Sequence, residues 1–354
     1  MQYIALDAHK HYTFASVERA NGALLQETQL MHERGVIRDF LCQYEPGSPV
    51  AVEAVGNWYW LVNEIEEAGM VPHLVHPRKA KLMLGMINKT DKLDARGLSR
   101  LQRTGTLPTV WIPPATIRDQ RDLPRTRMVL TRQSTRLKNR LHATFAKYAI
   151  RLPDVSDVFS QPTALATHLV TLPSHTRFAA DRLMEQLEIV GEQIDEFESR
   201  MHEVFEESDE LKLLMTLPGV GFILGTVILL ELGDVSRFPD AVHLASYAGV
   251  TPRISSSGGK KHYGPMRPDV NHYLKWAYIE AANVVSRHQA HWPHRHVTKT
   301  YVRIRERKNH AKAVGAVARH LAEATFWMLT KKEAYREPAL RTDRVHEGVS
   351  AAVF

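Results

Sequence analysis

Four acids in the first part of the chain, Asp7, Glu53, Asp91 and Asp94, have the types and settings to hold divalent cations. Asp7 closes the short apolar run Tyr3 to Asp7, and Glu53 closes the run Pro49 to Glu53. Each run reads as a buried strand ending on a carboxylate. Asp91 and Asp94 stand three residues apart in Thr90-Asp91-Lys92-Leu93-Asp94, which reads as a helix start with Thr90 as N-cap, so both acids share one face. Four carboxylates drawn to one point repel, and the arrangement becomes tolerable when cations neutralise it. Hard oxygen donors select Mg²⁺ or Mn²⁺, and two such ions stabilise the attacking and leaving oxygens of a phosphodiester displacement. Taken singly, each acid reads more readily as a strand-end or capping carboxylate. The set of four, on this strand pattern, points to chemistry.

A second candidate is Ser255-Ser256-Ser257-Gly258-Gly259-Lys260-Lys261, which reads as a small polar loop. A serine nucleophile needs an exposed, mobile perch and nearby positive charge for the pentacovalent state. Ser257 has that setting, with Arg253, Lys260 and Lys261 around it; by composition alone the stretch reads as a surface turn. Leu217-Pro218-Gly219-Val220-Gly221, before the apolar run Phe222 to Leu232, is similar to a helix-hairpin-helix element. Gly219 and Gly221 would let backbone N–H groups approach phosphate oxygens, and a plain glycine-rich helix turn explains the same residues. His288, His291, His294 and His296 surround Trp292-Pro293 at spacings zinc would accept. With no cysteine or acid beside them, they read as a surface or nucleic-acid-facing segment.

The elements that must position the acids follow from periodicity. Tyr12 to Arg19 and Ala23 to Gln29 alternate around Asn21-Gly22, a strong hairpin signal. Gly35 to Tyr44 and Trp58 to Ala68 have helical spacing, and Val71 to Val75 is a further strand. Three strands, helix, strand, helix, strand is the order of an RNase H-like fold. A basic helix is expected from Arg127 to Tyr148, with Pro124 interrupting anything earlier. Leu152 to Thr176 reads as a loop-containing connection. Leu183, Leu187, Val190, Ile194, Phe197, Met201 and Val204 step by alternating fours and threes, an a/d seam. It fits either a helix packed on its own domain or a coiled-coil arm that dimerises the protein. Val270 to Ser286 and Ala311 to Leu329 read as amphipathic helices, and Glu337 to Phe354 as a loosely ordered tail.

Charge narrows the partner. The chain of 354 residues carries a formal net charge of +7, unevenly spread. Asp181 to Glu210 holds twelve acids and two bases, whereas Arg118 to Arg151 holds ten bases and two acids. Lys299 to Arg344 adds twelve bases against five acids. Segregated basic surface is the footprint of a polyanion, and Arg132, Arg136, Lys138 and Arg140 are candidate backbone contacts. One cysteine, Cys42, excludes a disulfide framework and fits a reducing compartment. The longest apolar run, Val220 to Leu230, is too short to span a bilayer, and no secretory signal opens the chain. A soluble, cytoplasmic protein without a membrane role is expected.

The pattern resembles the DEDD transposases, the bridge-RNA-guided insertion-sequence recombinases with a RuvC-like domain and a separate serine-containing transposase domain. The resemblance is carried by Ile4-Ala5-Leu6-Asp7, by Val52-Glu53-Ala54-Val55-Gly56 and by Asn88-Lys89-Thr90-Asp91-Lys92-Leu93-Asp94-Ala95-Arg96. Leu217 to Gly221 and Tyr247-Ala248-Gly249-Val250-Thr251-Pro252-Arg253 with the serine stretch extend it. It implies an α/β RNase H-like (RuvC-like) domain with a basic helical extension over 1–150. A linker and coiled coil would cover 151–210, and a mainly α transposase domain 211–335 with the helix-hairpin-helix-like element and serine loop, followed by a tail over 336–354. It also implies that Asp7, Glu53, Asp91 and Asp94 are the catalytic, metal-holding tetrad for Mg²⁺ or Mn²⁺. Ser257 would be the nucleophile, although by residue type Ser255 and Ser256 are equivalent. Strand exchange would run through a covalent phosphoserine and a Holliday junction. Each site would combine carboxylates of one protomer with the serine of another, in dimers assembling to tetramers. A structured noncoding guide (bridge) RNA would pair with donor and target double-stranded DNA, placing the protein at the prokaryotic nucleoid. Two other functions fit the residues less fully: a metal-dependent junction nuclease without covalent serine chemistry, and a non-catalytic nucleic-acid-binding scaffold.

Overall fold

The computed structural model describes residues 1–85, 90–155, 157–160, 162–206 and 208–338, which fall into two compact units, Met1–Pro114 and Ala115–Phe354. Asn88 and Lys89, and the expected tail beyond Pro338, lie outside the described residues.

In the first unit, β1 (Gln2–Ala8), β2 (Tyr12–Arg19) and β3 (Leu24–Met31) form an antiparallel meander. The Asn21-Gly22 turn joins the last two, with Gly22 at φ 85°, where a side chain would be strained. Helix α1 (Val36–Leu41), β4 (Pro49–Glu53), α2 (Trp58–Glu67), β5 (Val71–Val75), α3 (Pro77–Leu84) and α4 (Asp91–Arg103) complete it. The five strands lie in the order β3-β2-β1-β4-β5, with β1, β4 and β5 parallel. This mixed sheet is compatible with an RNase H-like fold.

Alternation along the strands divides the core in two. Ile4, Leu6, Val50, Val52 and Leu74 pack with Leu61, Val62 and Ile65 of α2. Ala5, Ala51 and Val75 pack on the other side with Ala80 of α3 and Leu98 and Leu101 of α4. Small alanines at the centre of the second face let α4 sit close to β1. Buried Glu64 caps α1: its carboxylate accepts from the backbone N–H groups of Gly35, Ile37 and Arg38 and from the Trp60 indole.

The second unit is mainly helical: α5 (Ala115–Gln120), α6 (Asp122–Lys147), α7 (Pro162–Leu169), α8 (Ser174–Phe205), α9 (Asp209–Leu214), α10 (Phe222–Leu232) and α11 (Ala241–Tyr247). Strands β6 (Pro252–Ser257) and β7 (Lys260–Met266) precede α12 (His272–Arg287), α13 (His296–Arg307) and α14 (His310–Lys331). Pro124 does not interrupt α6; it lies in the first turn, where its missing N–H has no intrahelical acceptor to lose. The connection before α8 contains α7.

Part of the seam on α8 is covered within the chain, while Val204 is exposed. Helices α6 and α8 run antiparallel, with Arg127 paired to Glu198 near one end and Tyr148 Oη 2.9 Å from Thr176 Oγ1 near the other. Leu187 packs with Leu141 and Phe145 of α6, and Met201 with Phe205, Leu211 and Leu230. A larger core unites α10, α11, α12 and α14 around Ile228, Leu244, Leu274, Tyr278 and Leu321.

The serine stretch is not a free loop. It forms a β-hairpin with Ser257 paired to Lys260, Ser256 to Lys261 and Ser255 to His262. Gly258 and Gly259, at φ 56° and 76°, supply the two positive-φ positions that a two-residue turn of this twist requires.

Candidate active site

Three side chains converge at the carboxyl end of β1. One ligand atom from each of Asp7, His9 and Asp91 lies within 4.8 Å of the others. Asp7 shares strand parity with Ala5 and therefore emerges on the face that α4 covers. Thr90 places Asp91 there, because its hydroxyl accepts from Leu93 N–H and fixes the first turn of α4. The helix is held down by Glu27 of β3, which pairs with Lys92 and Arg96, and by Ser99 Oγ donating to Glu18 at 3.0 Å. Those two pairings hold the Glu27 carboxyl below the usual carboxylate range despite its burial.

His9 Nε2 sits 3.2 Å from Asp7 Oδ2 and 3.3 Å from Asp91 Oδ2. That nitrogen is shielded from solvent and makes no hydrogen bond of good geometry. Asn57 Nδ2 donates to the His9 carbonyl at 3.1 Å, fixing the backbone. The tight turn, with His9 N–H donating to Tyr12 O, folds Tyr12 back beside His9, ring centroids 4.7 Å apart. Tyr12 Oη then donates to Asp91 Oδ2 at 2.7 Å. This bond to Asp91, and the nearby charges of Asp91 and Asp7, push the Tyr12 phenol above its ordinary range, so it stays a donor. Asp7 is 7% exposed, whereas the Asp91 side chain is 40% exposed. One carboxylate is thus rooted in the sheet and the other faces solvent.

The two remaining acids are adjacent but outside this group. Parallel pairing of Leu6 with Val52 places Glu53 beside Asp7 in register, on the strand parity of Ala51. Asp94 lies one turn along α4, its N–H donating to Thr90 O. Among the described residues, no group of three or more potential ligands at that spacing includes Glu53 or Asp94. His9 and Tyr12 are functional candidates that sequence reasoning passes over. The signal for His9 was present: it stands two residues after Asp7, a spacing that returns a side chain to the same side of the sheet.

Fit to a divalent cation can be judged from the donors. Two carboxylates and one imidazole approach one point, and one of the carboxylates is buried. Such a set suits a hard or borderline divalent ion.

In the second unit, Ser255 and Ser256 are exposed on β6. Arg253 is exposed. Arg132, Arg136 and Arg140 repeat every fourth residue along α6 and are all exposed, an open basic stripe. Lys138 is instead engaged by Asp157 at 2.6 Å. Several other bases of this block are structural: Arg118 and Arg121 are buried, Arg125 grips Glu231 and Arg127 pairs with Glu198. Gly219 is accounted for by packing, since a Cβ there would meet Ala281 O at 2.3 Å. Gly221 is exposed at the N-terminus of α10. His288 stacks on Trp292, and His296 lies beside His320, 4.9 Å between rings.

Comparison with known proteins gives matches in both units. Residues 4–150 match the DEDD transposase family of the IS110 type, and residues 211–297 match the transposase IS116/IS110/IS902 family. The chain is 24% identical over 292 residues to the transposase for insertion sequence element IS1111A of Coxiella burnetii, covering 81% of this chain and 79% of that one. It is 24% identical over 261 residues to a probable family 20 transposase of Pseudomonas aeruginosa, covering 72% and 76%. A segment of 50 residues is 48% identical to the pilin gene-inverting protein of Moraxella bovis, covering 14% and 16%. The mixed-sheet unit followed by a helical unit is compatible with these relatives, which support a DNA transposase in general terms. The chain belongs to the DEDD transposases of the IS110 family. No helix among the described residues is long and apolar enough to cross a membrane.

Proposed function

We propose that this protein excises and inserts a mobile element by conservative strand exchange, with Asp7, Glu53, Asp91 and Asp94 holding Mg²⁺ or Mn²⁺ and Ser257 as nucleophile. The observation that carries this reading is the meeting of Asp7 and Asp91, distant in sequence, at one strand end. When bound, the divalent ion supplies charge neutralisation for the phosphate oxygens. The Ser257 hydroxyl oxygen bonds to phosphorus as one bridging P–O bond to deoxyribose breaks. The hydroxyl proton passes to a nearby base or to water, and the leaving deoxyribose oxygen takes up a proton. Bond energy is conserved in the phosphoserine ester, so a hydroxyl of the partner strand can attack the same phosphorus and release the serine. The resulting junction is resolved by a second round of the same exchange. Position 257 is the last of its strand before the two-glycine turn, paired with Lys260, and this setting supports the role.

Base pairing by a structured guide RNA, to donor and target DNA, would supply sequence choice. The open stripe of Arg132, Arg136 and Arg140, the Lys260 and Lys261 positions and the Gly221 helix start would track backbones. Carboxylates from one protomer and serine from another would complete each site, in dimers assembling to tetramers.

The test incubates purified protein with guide RNA, donor and target DNA and Mg²⁺, then separates products on denaturing gels. A protein-linked DNA species is expected, absent in Ser257→Ala. Undiminished recombination by Ser257→Ala overturns the serine role. Cleavage that needs Asp7 but leaves no protein on DNA assigns a hydrolytic junction nuclease instead.

A further inference from the structure

We propose that His9 is a nitrogen ligand to the divalent ion of the carboxylate site, so that this centre discriminates in favour of Mn²⁺ over Mg²⁺. The inference rests on the metal reading above and adds a donor that the four-carboxylate set does not contain. Its evidence is geometric. His9 Nε2 is 3.2 Å from Asp7 Oδ2 and 3.3 Å from Asp91 Oδ2, so the three atoms ring a common point. Donors at right angles on a coordination sphere with bonds of about 2.1–2.3 Å stand about 3.0–3.3 Å apart. The measured separations match neighbouring corners of one such sphere. The nitrogen is shielded from solvent, and its approach to the two carboxylates lacks hydrogen-bond geometry.

The surrounding residues act as supports for such a centre. Asn57 holds the His9 backbone through its carbonyl, and the β1–β2 turn leaves the ring little freedom beside Tyr12. Tyr12 donates to Asp91 Oδ2, which leaves that oxygen further lone-pair capacity and sets the carboxylate plane. An imidazole among carboxylates changes selectivity: Mg²⁺ favours an all-oxygen sphere, while Mn²⁺ and later transition ions bind imidazole well. Two oxygens and one nitrogen also leave other coordination positions for water or phosphate oxygens.

The experiment uses the full-length protein and Mn²⁺ as the probe. Electron spin-echo modulation of bound Mn²⁺ should show coupling to a directly coordinated ¹⁴N in the wild type. His9→Leu should still bind Mn²⁺ through the carboxylates but lose that coupling. Its Mn²⁺ affinity should fall about tenfold or more, with Mg²⁺ affinity changing less. Circular dichroism of His9→Leu checks that the fold is kept, and the wild-type spectrum tests the proposal without any variant. Mn²⁺ bound without nitrogen coupling, or coupling that persists in His9→Leu, overturns the His9 assignment while leaving a carboxylate metal site intact. Failure of the wild type to bind Mn²⁺ at all, or binding undiminished in Asp7→Asn, overturns the metal reading itself.

Discussion

Two acidic clusters in this molecule are built on opposite principles. In the helical unit, Glu231 is 1% exposed and fully answered by fixed partners. Arg125 donates to both of its oxygens, at 2.7 and 3.0 Å, Asn271 Nδ2 donates at 2.9 Å, and Arg121 lies 3.6 Å away. Arg125 also lies over the Tyr273 ring, and Arg121 donates to the carbonyls of Leu230 and Glu231. Two guanidinium charges meet one carboxylate, and α6 is tied to α10 and α12. At the strand end of the mixed sheet, among the described residues, Asp7 and Asp91 gather round the His9 imidazole, and the Tyr12 phenol donates to Asp91. One carboxylate is buried among fixed guanidinium partners, whereas the other two meet an imidazole at a rim partly open to solvent. The difference lies in the partners, because a buried carboxylate occurs in both.

The largest expected effect tests the saturated cluster. Glu231→Ala removes the counter-ion of Arg121 and Arg125 while leaving both guanidiniums in place. A stability loss of about 3–5 kcal/mol is expected from denaturant unfolding of the full chain. A loss below about 1 kcal/mol would break the comparison, by making Glu231 no more structural than a surface acid. Asp7→Asn tests the other side. The isosteric change removes one of two like charges at the site, so any stability loss should stay well below that of Glu231→Ala, while the recombination rate falls by about 10²–10³. Unfolding curves and gel-based recombination rates on the same preparations measure both. A destabilisation like that of Glu231→Ala, with activity retained, would make Asp7 a structural acid too.

The same contrast explains what the sequence disclosed. Strand ends are legible because apolar runs stop on a carboxylate, and so the placement of Asp7 beside Glu53 followed from strand order. The Asn21-Gly22 hairpin and the capped start of α4 were equally local signals. His9 was missed because a lone histidine in a turn carries no periodic mark; its role depends on α4 returning Asp91 to the same point. The basic block of α6 was overread for a related reason. Spacing does not separate Arg132, Arg136 and Arg140 from Arg121 and Arg125, which also stand four apart; only tertiary structure shows the latter two spent on Glu231. The seam of α8 was periodic in sequence, whereas its partner α6 is not, so its intrachain packing could not be read from α8 alone. At the serine stretch, composition suggested a mobile loop; the paired glycines instead close a ribbon.

The smallest effect sharpens the comparison at its wet limit. Lys138 Nζ and Asp157 Oδ2 are 2.6 Å apart, with side chains 32% and 41% exposed, so water screens a pair whose contact distance rivals that of the Glu231 knot. The Lys138 ammonium, helped by the Phe159 N–H, holds the Asp157 carboxyl below its ordinary range. Because the folded value is the lower one, the contribution is present above the unfolded value, about pH 4, and is lost as pH falls through the folded value. Screening limits it to about 1 kcal/mol or less, and added salt should shrink it further. A double-mutant cycle with Lys138→Met and Asp157→Asn, run at two pH values and two salt concentrations, measures the coupling. A coupling as large as the loss in Glu231→Ala, or one insensitive to salt, would show that distance governs these clusters. The small, salt-sensitive value expected here would assign the strength of the Glu231 knot to its exclusion of water and its full set of partners.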